Sequence, residues 1–512
     1  MKKQTTKTTL LSLLALTLAA VPDARAISNS FANATVIPGS NQNAGSVSIL
    51  NFDTEAGEPG HLPNSAVGAQ KSAWWKWTAT SNGFCTVDTQ LDDDDQFVRN
   101  TVVAVYTGSA VNGLTPVARN NNHALSPNYA AAYAASATFY ASQGTTYYIA
   151  VDGYNTAAVN ANNHKVRLRL RFMTSAAETR LGNITNPYEP GVHGILQLNK
   201  TSSHAFSAKL TLAGKAYPFK GVFSLDGYFV TSFERKVAKG ATPLPPLTLM
   251  LDGTENGSFD LVSSISGNTG YGLTTVQRFT KAQPTSFMGS YTAAIHNSGS
   301  MSFKIAPTGT ITGASVLPDG TKATFGSFVS TFRPDYVVIP FYTSLHSNVG
   351  FYGGFLKLTE MGAVDKVEDE IADYYRPAKA GAVFYPQGIN LSAIVVGSTY
   401  TPPTTGARAL GFLDASMGVG KLSIAEQGGE ITPAMMENLT LSTANVIKFN
   451  TPQLRKPVLT LNKTTGLVTG SILDQAGKKR SLSGVLFRDG MTVKLKGHLT
   501  GTTYNPLFEV VP

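Results

Sequence analysis

Hydrophobic and polar residues alternate along most of this chain, and the alternation predicts short β-strands from one end to the other. In SAWWKWTAT, Ala73, Trp75 and Trp77 fall on one face, and Trp74, Lys76 and Thr78 on the other. TVVAVYTGS, ATFYASQ and TTYYIAVDGYN repeat the pattern between Gly and Asn turns, and in the last of them Tyr147, Ile149 and Val151 point one way. Later segments such as PLTLMLDG, GSFDLVSS, MSFKIAP, DYVVIPFYT and VGFYGGFLKL read the same way. One stretch departs from period two. In VDKVEDEIADYY, Val364, Val367, Ile371 and Tyr374 recur every third or fourth residue with acids between them, which predicts one short amphipathic helix ending before Pro377.

The strand pattern is also repeated on a larger scale. Leu198–Val230 recurs without a gap at Leu461–Val493, with 13 of 33 positions identical, where chance gives about two. A looser third copy carries Gly309-Thr-Ile-Thr-Gly313 and Gly320, against Gly466-Leu-Val-Thr-Gly470 and Gly477. The shared residues are turn glycines, strand apolars and an Asp-Gly pair. No nucleophile with a base is among them, so the repeat describes architecture. An ungapped match predicts the same strand pair, face and register in both copies.

The resulting plan is all-β: an N-terminal β-sandwich followed by repeated antiparallel units, barrel- or sandwich-like, with one short helix. Residues 1–26 read as a secretory signal, with Lys2, Lys3 and Lys7, an apolar run over Leu10–Val21, and Ala24-Arg25-Ala26 before the cut. A first domain follows at 27–175 and a polar linker at 176–190. Repeat units occupy 191–285, 286–360 and 381–512, with the helix as a connector at 361–380. Charged residues make up only 14% of the chain, and removing the signal takes the net charge from +9 to +6, basic but modest. The one cysteine, Cys85, excludes an intrachain disulfide framework. It alternates with Val87 and Thr89, as a buried, inert thiol would.

Five segments in order, NSFANATVIPG, EAGEPGH, SAWWKWTA, VVAVYTGS and GTTYYIAVDGYN, resemble bacterial pre-peptidase C-terminal (PPC-like) domains over residues 27–175. The resemblance implies a β-sandwich appended to exported proteins and itself not catalytic. Some members resemble calcium-binding sandwiches, with acids near the equivalents of Asn100 and of Asn120, Asn121 and Asn122. Amides at these positions weaken a hard-cation site, and Asp92, Asp93, Asp94 and Asp95 are the residues that would supply carboxylates instead. The later repeats are similar to Gly-rich tandem β-units of large exported bacterial proteins, a likeness that carries no active site.

Candidate chemistry is sparse. In KVRLRLRF, Lys165, Arg167, Arg169 and Arg171 share one face, spacing four charges over about 20 Å. Such a stripe suits a solvated edge or a dock for an acidic polymer or acidic neighbour. Glu55, Glu58 and His61 in EAGEPGH suggest metal or acid/base work, but lack a second His at ligand spacing. HExxH, CxxC and GxSxG are missing, and GVGKLS at Gly418 lacks the first P-loop glycine and has Leu422 where Ser or Thr would bind magnesium. Dispersed histidines and sparse basic clusters argue against an enzyme and against a nucleic-acid partner. The expectation is a non-catalytic secreted or surface β-protein that needs no cofactor, does not span the membrane, and meets acidic polysaccharide or envelope. The other reading is an exported hydrolase, or an accessory module of a secreted peptidase.

Overall fold

A computed structural model describes residues 27–512 apart from 40–41, 63–67, 90–99, 122–133, 156–157, 186–192, 238–241, 255–256, 264–266, 297–298, 334–335, 362–363, 427–430, 432–433, 451–454, 490–491 and 504. The signal reading of residues 1–26 therefore lies outside the described residues. Among these residues the chain is all-β, relieved only by short 3₁₀ turns. It divides into two compact units, one formed by the residues up to Thr80 together with Thr86–Leu170, the other comprising Ser81–Cys85 with Arg171–Pro512.

In the first unit, one sheet orders Thr35–Val36, Ala73–Thr78, Thr146–Gly153, Thr101–Thr107 and Thr115–Asn120 side by side. A second orders Gln42–Ser48, Lys165–Thr174, Gly83–Asp88 and Ser136–Ala141. Trp77 stacks on Tyr147, and Tyr147 meets Phe139 of the second sheet at 4.8 Å between ring centres, so these rings lie between the sheets. The indole N–H groups of Trp75 and Trp77 donate to the carbonyls of Ala44 and Gly39, satisfying the polar ends of two buried rings. Trp74, on the opposite face, is equally buried. There Phe31, Tyr106 and Tyr148 form a second, smaller core, so this sheet is covered on both sides. Cys85 is fully buried and its thiol pKa is pushed well up by burial.

The larger unit contains three successive sets of eight strands, each with its own core. In the first set, Glu178–Thr185, His193–Lys200, Ala205–Leu212 and Lys215–Val222 form one leaf. Tyr228–Phe233, Leu247–Asp252, Ser258–Ser263 and Gly267–Gly272 form the other, and both leaves contribute to one core. The second set runs Gly289–Ile295, Gly299–Ile305, Thr310–Val316, Lys322–Phe328, Tyr336–Leu345, Gly350–Met361, Val364–Arg376 and Ile389–Thr399. Its last strand pairs back onto its first, nearly closing a barrel. At the remaining seam the Ser327 hydroxyl donates to the carbonyl of Pro340, a residue with no amide to offer a ladder. The third set is Val419–Ile424, Met435–Leu441, Ile447–Phe449, Val458–Leu461, Leu467–Leu473, Lys479–Asp489, Thr492–Leu499 and Leu507–Val511, again with the last strand paired to the first.

Two expectations are corrected here. Val364–Arg376 is a strand, hydrogen-bonded to neighbours on both sides, and not a helix. A bulge between Val367 and Glu370 inserts an extra residue, so apolar spacing drifts from two to three or four without a helix. Ile371, expected on the buried helical face, is 50% exposed, while Ala372 and Tyr374 point inward. The polar stretch 176–190 contains the strand Glu178–Thr185, whose Leu181, Asn183 and Ile184 are buried.

The repeat holds as a hairpin, with one difference. Gly214 and Gly477 both occupy the turn with positive φ, 73° and 75°. In the first copy the turn has two residues, Ala213 and Gly214, both left-handed, and Leu212 pairs with Lys215. In the last copy three residues separate Asp474 from Lys478, and Leu473 pairs with Lys479. The register therefore slips by one residue between them, against the expectation of a shared register. The looser middle copy matches the last one: Thr310 pairs with Phe328 as Leu467 pairs with Val485, at the same offset that relates Gly309 to Gly466. Downstream, Asp226-Gly227 turns the chain into the other leaf, whereas Lys479–Asp489 pairs directly with Thr492–Leu499.

Substitution at the two equivalent glycines should separate backbone strain from packing. A Cβ at Gly477 meets nothing within 4 Å, whereas at Gly214 it would lie 2.4 Å from the Asn348 side chain. Gly477→Ala is expected to cost about 1 kcal/mol from the left-handed backbone alone, and Gly214→Ala visibly more, in urea unfolding of the full chain. Trp77→Ala should cost about 3–5 kcal/mol in the same assay, and near-parental stability would contradict its buried placement.

Candidate functional site

The basic stripe is placed on Lys165–Thr174, with its alternation intact and its charges engaged. Arg169 donates through Nε and Nη2 to both carboxylate oxygens of Asp88 at 3.0–3.1 Å, and the Asp88 side chain is 2% exposed. Arg171 is 6% exposed, stacks over the Tyr228 ring at 4.2 Å and lies 3.8 Å from Asp226. Lys165 and Arg167 are half-buried and also have partners. The stripe is thus a set of internal joints at Arg169 and Arg171, and not an open row of four cations. The other candidate, Asp92 to Asp95, lies outside the described residues.

Glu58 and His61 come together with two groups that no local motif reveals. The His61 ring places Nδ1 2.9 Å from the Tyr106 hydroxyl, and Nε2 2.8 Å from the Ser72 hydroxyl and 3.2 Å from Glu58. Glu55 is drawn off to accept the Phe31 amide. Burial raises the Glu58 pKa, but hydrogen bonds involving His61, Ser72 and the Glu55 backbone outweigh it, and the net shift is downward. Burial pushes the Tyr106 phenol up to about 12. Serine, histidine and acid are all present, yet serine and acid share one ring nitrogen while tyrosine holds the other. A catalytic triad needs the acid and the nucleophile on opposite nitrogens. The His61 ring also packs edge-on against Trp74 at 5.8 Å, under the 52–61 loop. The constellation is a sealed polar network that fixes this loop over the Trp strand.

A second cluster sits at one end of the near-barrel, where three connections of the second set meet. Asp319 comes from the turn after Thr310–Val316, His346 from the turn after Tyr336–Leu345, and Tyr374 and Arg376 from the end of the bulged strand. The Tyr374 hydroxyl donates to Asp319 at 3.0 Å and accepts from His346 Nε2 at 2.9 Å. Arg376 donates to Asp319 at 2.7 Å and to the carbonyl of Phe384 at 2.7 Å. Burial, and then the Asp319 charge, hold the Tyr374 proton well above the ordinary phenol range. Burial lowers the His346 pKa, with Asp319 opposing and Arg376 and Lys379 reinforcing. His346, Ser347 and Asn348 all have positive φ, between 52° and 69°, three consecutive strained residues without a glycine. The sequence carries no signal for this cluster, because the acid, the histidine and the Tyr-Arg pair are scattered along the chain and only hairpin closure gathers them.

Among the described residues no group of three or more His, Cys, Asp or Glu could hold a metal ion. No known protein-family model matches the chain, and no curated protein matches it either.

The Asp88–Arg169 joint makes a measurable claim. Asp88→Asn should destabilise the protein by roughly 2–3 kcal/mol, because it strands a half-buried guanidinium. Asp88→Leu with Arg169→Met should recover most of that loss in denaturant titration, since removing both charges strands neither.

Proposed function

We propose that this chain is a non-catalytic, exported bacterial β-protein whose role is binding or structural, directed at acidic polysaccharide or other anionic envelope polymers. The observation that carries this reading is the division of its cations. Buried or half-buried arginines are matched to carboxylates: Arg169 to Asp88, Arg180 to Glu178, Arg376 to Asp319 and Arg480 to Asp474. Lys200 is buried beside Glu178, but other lysines stand on outward faces of all three strand sets, as at Lys209, Lys220, Lys304, Lys322, Lys421, Lys448 and Lys479. Arginine's planar fork suits fixed internal pairing, while a flexible lysine suits weak contact with a mobile anion. Dispersed lysines favour a long, repetitive ligand met at many weak points.

The strand faces support a water-exposed protein. Lys322–Phe328 alternates exposed and buried with Ala323, Phe325 and Ser327 inward, and the apolar side chains fill each core. Transmembrane barrels carry the reverse pattern, apolar outside and polar within. No helix among the described residues is long and apolar enough to cross a membrane. The PPC-like resemblance of residues 27–175 and the signal-like start support export, and calcium at Asp92–Asp95 belongs to the same proposal.

The test is retention on sulfated and uronic-acid resins across a salt gradient. Lys304→Glu with Lys322→Glu should elute at lower salt, with the thermal midpoint within about 2 °C of the parent because these lysines are exposed. Unchanged elution, or elution near zero salt for the parent, would remove the polyanion reading. Turnover of peptide, ester or glycoside substrates that is lost in His346→Gln or His61→Gln would favour the hydrolase reading instead.

A further inference from the structure

Three of the chain's eight histidines converge on one rim of the second strand set, and they come from three different sets. His193 begins the second strand of the first set, His346 lies in the strained turn of the second, and His498 is on the strand Thr492–Leu499 of the third. His193 Nδ1 lies 2.8 Å from the Tyr342 hydroxyl, its ring stacks on Phe351 at 5.1 Å, and its buried Nε2 faces the Asn348 backbone without a well-formed hydrogen bond. Asn348 in turn fills the space over Gly214. On the other side of the rim, the His498 ring is buried beside the Leu317 backbone, with neither ring nitrogen in a well-formed hydrogen bond. Asn505 donates to the Pro318 carbonyl at 2.9 Å, and the Tyr385 amide to the Thr502 carbonyl at 2.6 Å. The chain Arg376–Asp319–Tyr374–His346 runs between these two joints, from the 318–320 turn to the 346–348 turn.

We propose that this rim is an acid-released latch: protonation of its histidines loosens the rim contacts between the second strand set and both neighbours, while the three cores and the sheet that links the first two sets remain folded. The groups facing each histidine give the direction. His193 faces Tyr342, Phe351 and a backbone group, with no carboxylate to stabilise a proton. His498 faces the Leu317 backbone, with Ser483 and Leu507 as its ladder neighbours. His346 faces Tyr374, the cations Arg376 and Lys379, and one acid, Asp319, reached through the tyrosine. A cation formed on any of the three is buried or set beside other cations. The strained 346–348 turn lies between two of the contacts, so release there relaxes backbone strain as well.

The sign follows from proton uptake. Burial lowers the pKa of His193 and of His498 to about 4, against an ordinary value of 6.5. Between these limits the opened rim binds protons that the closed rim does not. The closed form therefore keeps its full stability above pH 6.5, loses it as pH falls towards 4, and loses no more from these groups below that.

Hydrogen exchange of the full chain from pH 7 to 4.5, corrected for the intrinsic pH dependence, tests the latch. The amides of Ala213, Leu317, Val349, Tyr385 and Thr500 should exchange at least tenfold faster at pH 4.5, while those of Leu247–Asp252 and Lys479–Asp489 stay protected. His193→Gln, His346→Gln and His498→Gln combined should abolish the acceleration. Protection unchanged at pH 4.5, rim and core amides accelerating together, or full acceleration in the triple variant would each overturn the proposal. Where the buried His498 position does not tolerate glutamine, His193→Gln with His346→Gln must suppress the response at Ala213 and Val349 while leaving it at Leu317. An equal response at all three sites would also overturn it.

Discussion

A chain that reverses direction after every short strand must bring its backbone round in very few residues, and one hairpin geometry does most of that here. In six turns the third loop residue is left-handed: His204, Gly227, Gly309, Gly320, Asn445 and Gly477. In each, the residue three before it accepts its amide, and that same residue donates across the turn, as Leu317 does to Thr321. Glycine holds four of the six positions because it has no Cβ to clash there. Asn445 takes the fifth with its side-chain amide tied to Ala407 and Ala409, and His204 the sixth with its ring near Phe84 and Ser175. Register, and with it the face each side chain takes, follows from these turns.

That dependence explains what could be read from the sequence. The all-β class, the Trp strand and the hairpins of the repeat were legible because period-two alternation and turn glycines are local features. The one-residue slip between Leu198–Val230 and Leu461–Val493 was not, since an ungapped alignment is blind to Ala213 joining Gly214 in the left-handed region. The strand at Val364–Arg376 was misread because a bulge and a helix both move apolar spacing off two. The candidate sites fared differently again. Arg169 and Arg171 were visible as a stripe, but their partners Asp88 and Asp226 are distant in sequence and arrive only by sheet pairing and a corner turn. The gathering of Asp319, His346, Tyr374 and Arg376 has no sequence signature at all.

In the larger unit the first and second strand sets share one continuous hydrogen-bonded sheet, through Thr274–Val276 and Ser330–Arg333, and single polar side chains set into a neighbour's backbone add further joints between sets. The Asn183 amide donates to the carbonyls of Phe341 and Gly354, where the neighbouring Gly353 has no side chain to obstruct it. Thr292 reaches the Leu486 carbonyl, and the Ser398 hydroxyl accepts the Arg488 amide. Each bond satisfies a buried group that would otherwise cost free energy, so the joints are specific in geometry while contributing modestly in net stability. This is the arrangement expected where sets must keep a defined order without fusing into one core.

The seam at Ser327 and Pro340 has a mechanical meaning. Elsewhere in the near-barrel, neighbouring strands are held by rows of backbone hydrogen bonds, which share a shearing load and yield together. At the seam the Ser327 hydroxyl and the side chains packed beneath it stand in for such a row. Tension drawing Lys322–Phe328 away from Tyr336–Leu345 would part it there first, opening the cylinder into a curved sheet whose seven remaining ladders are intact. Under such a load the strand set would lengthen by unrolling before it unfolds.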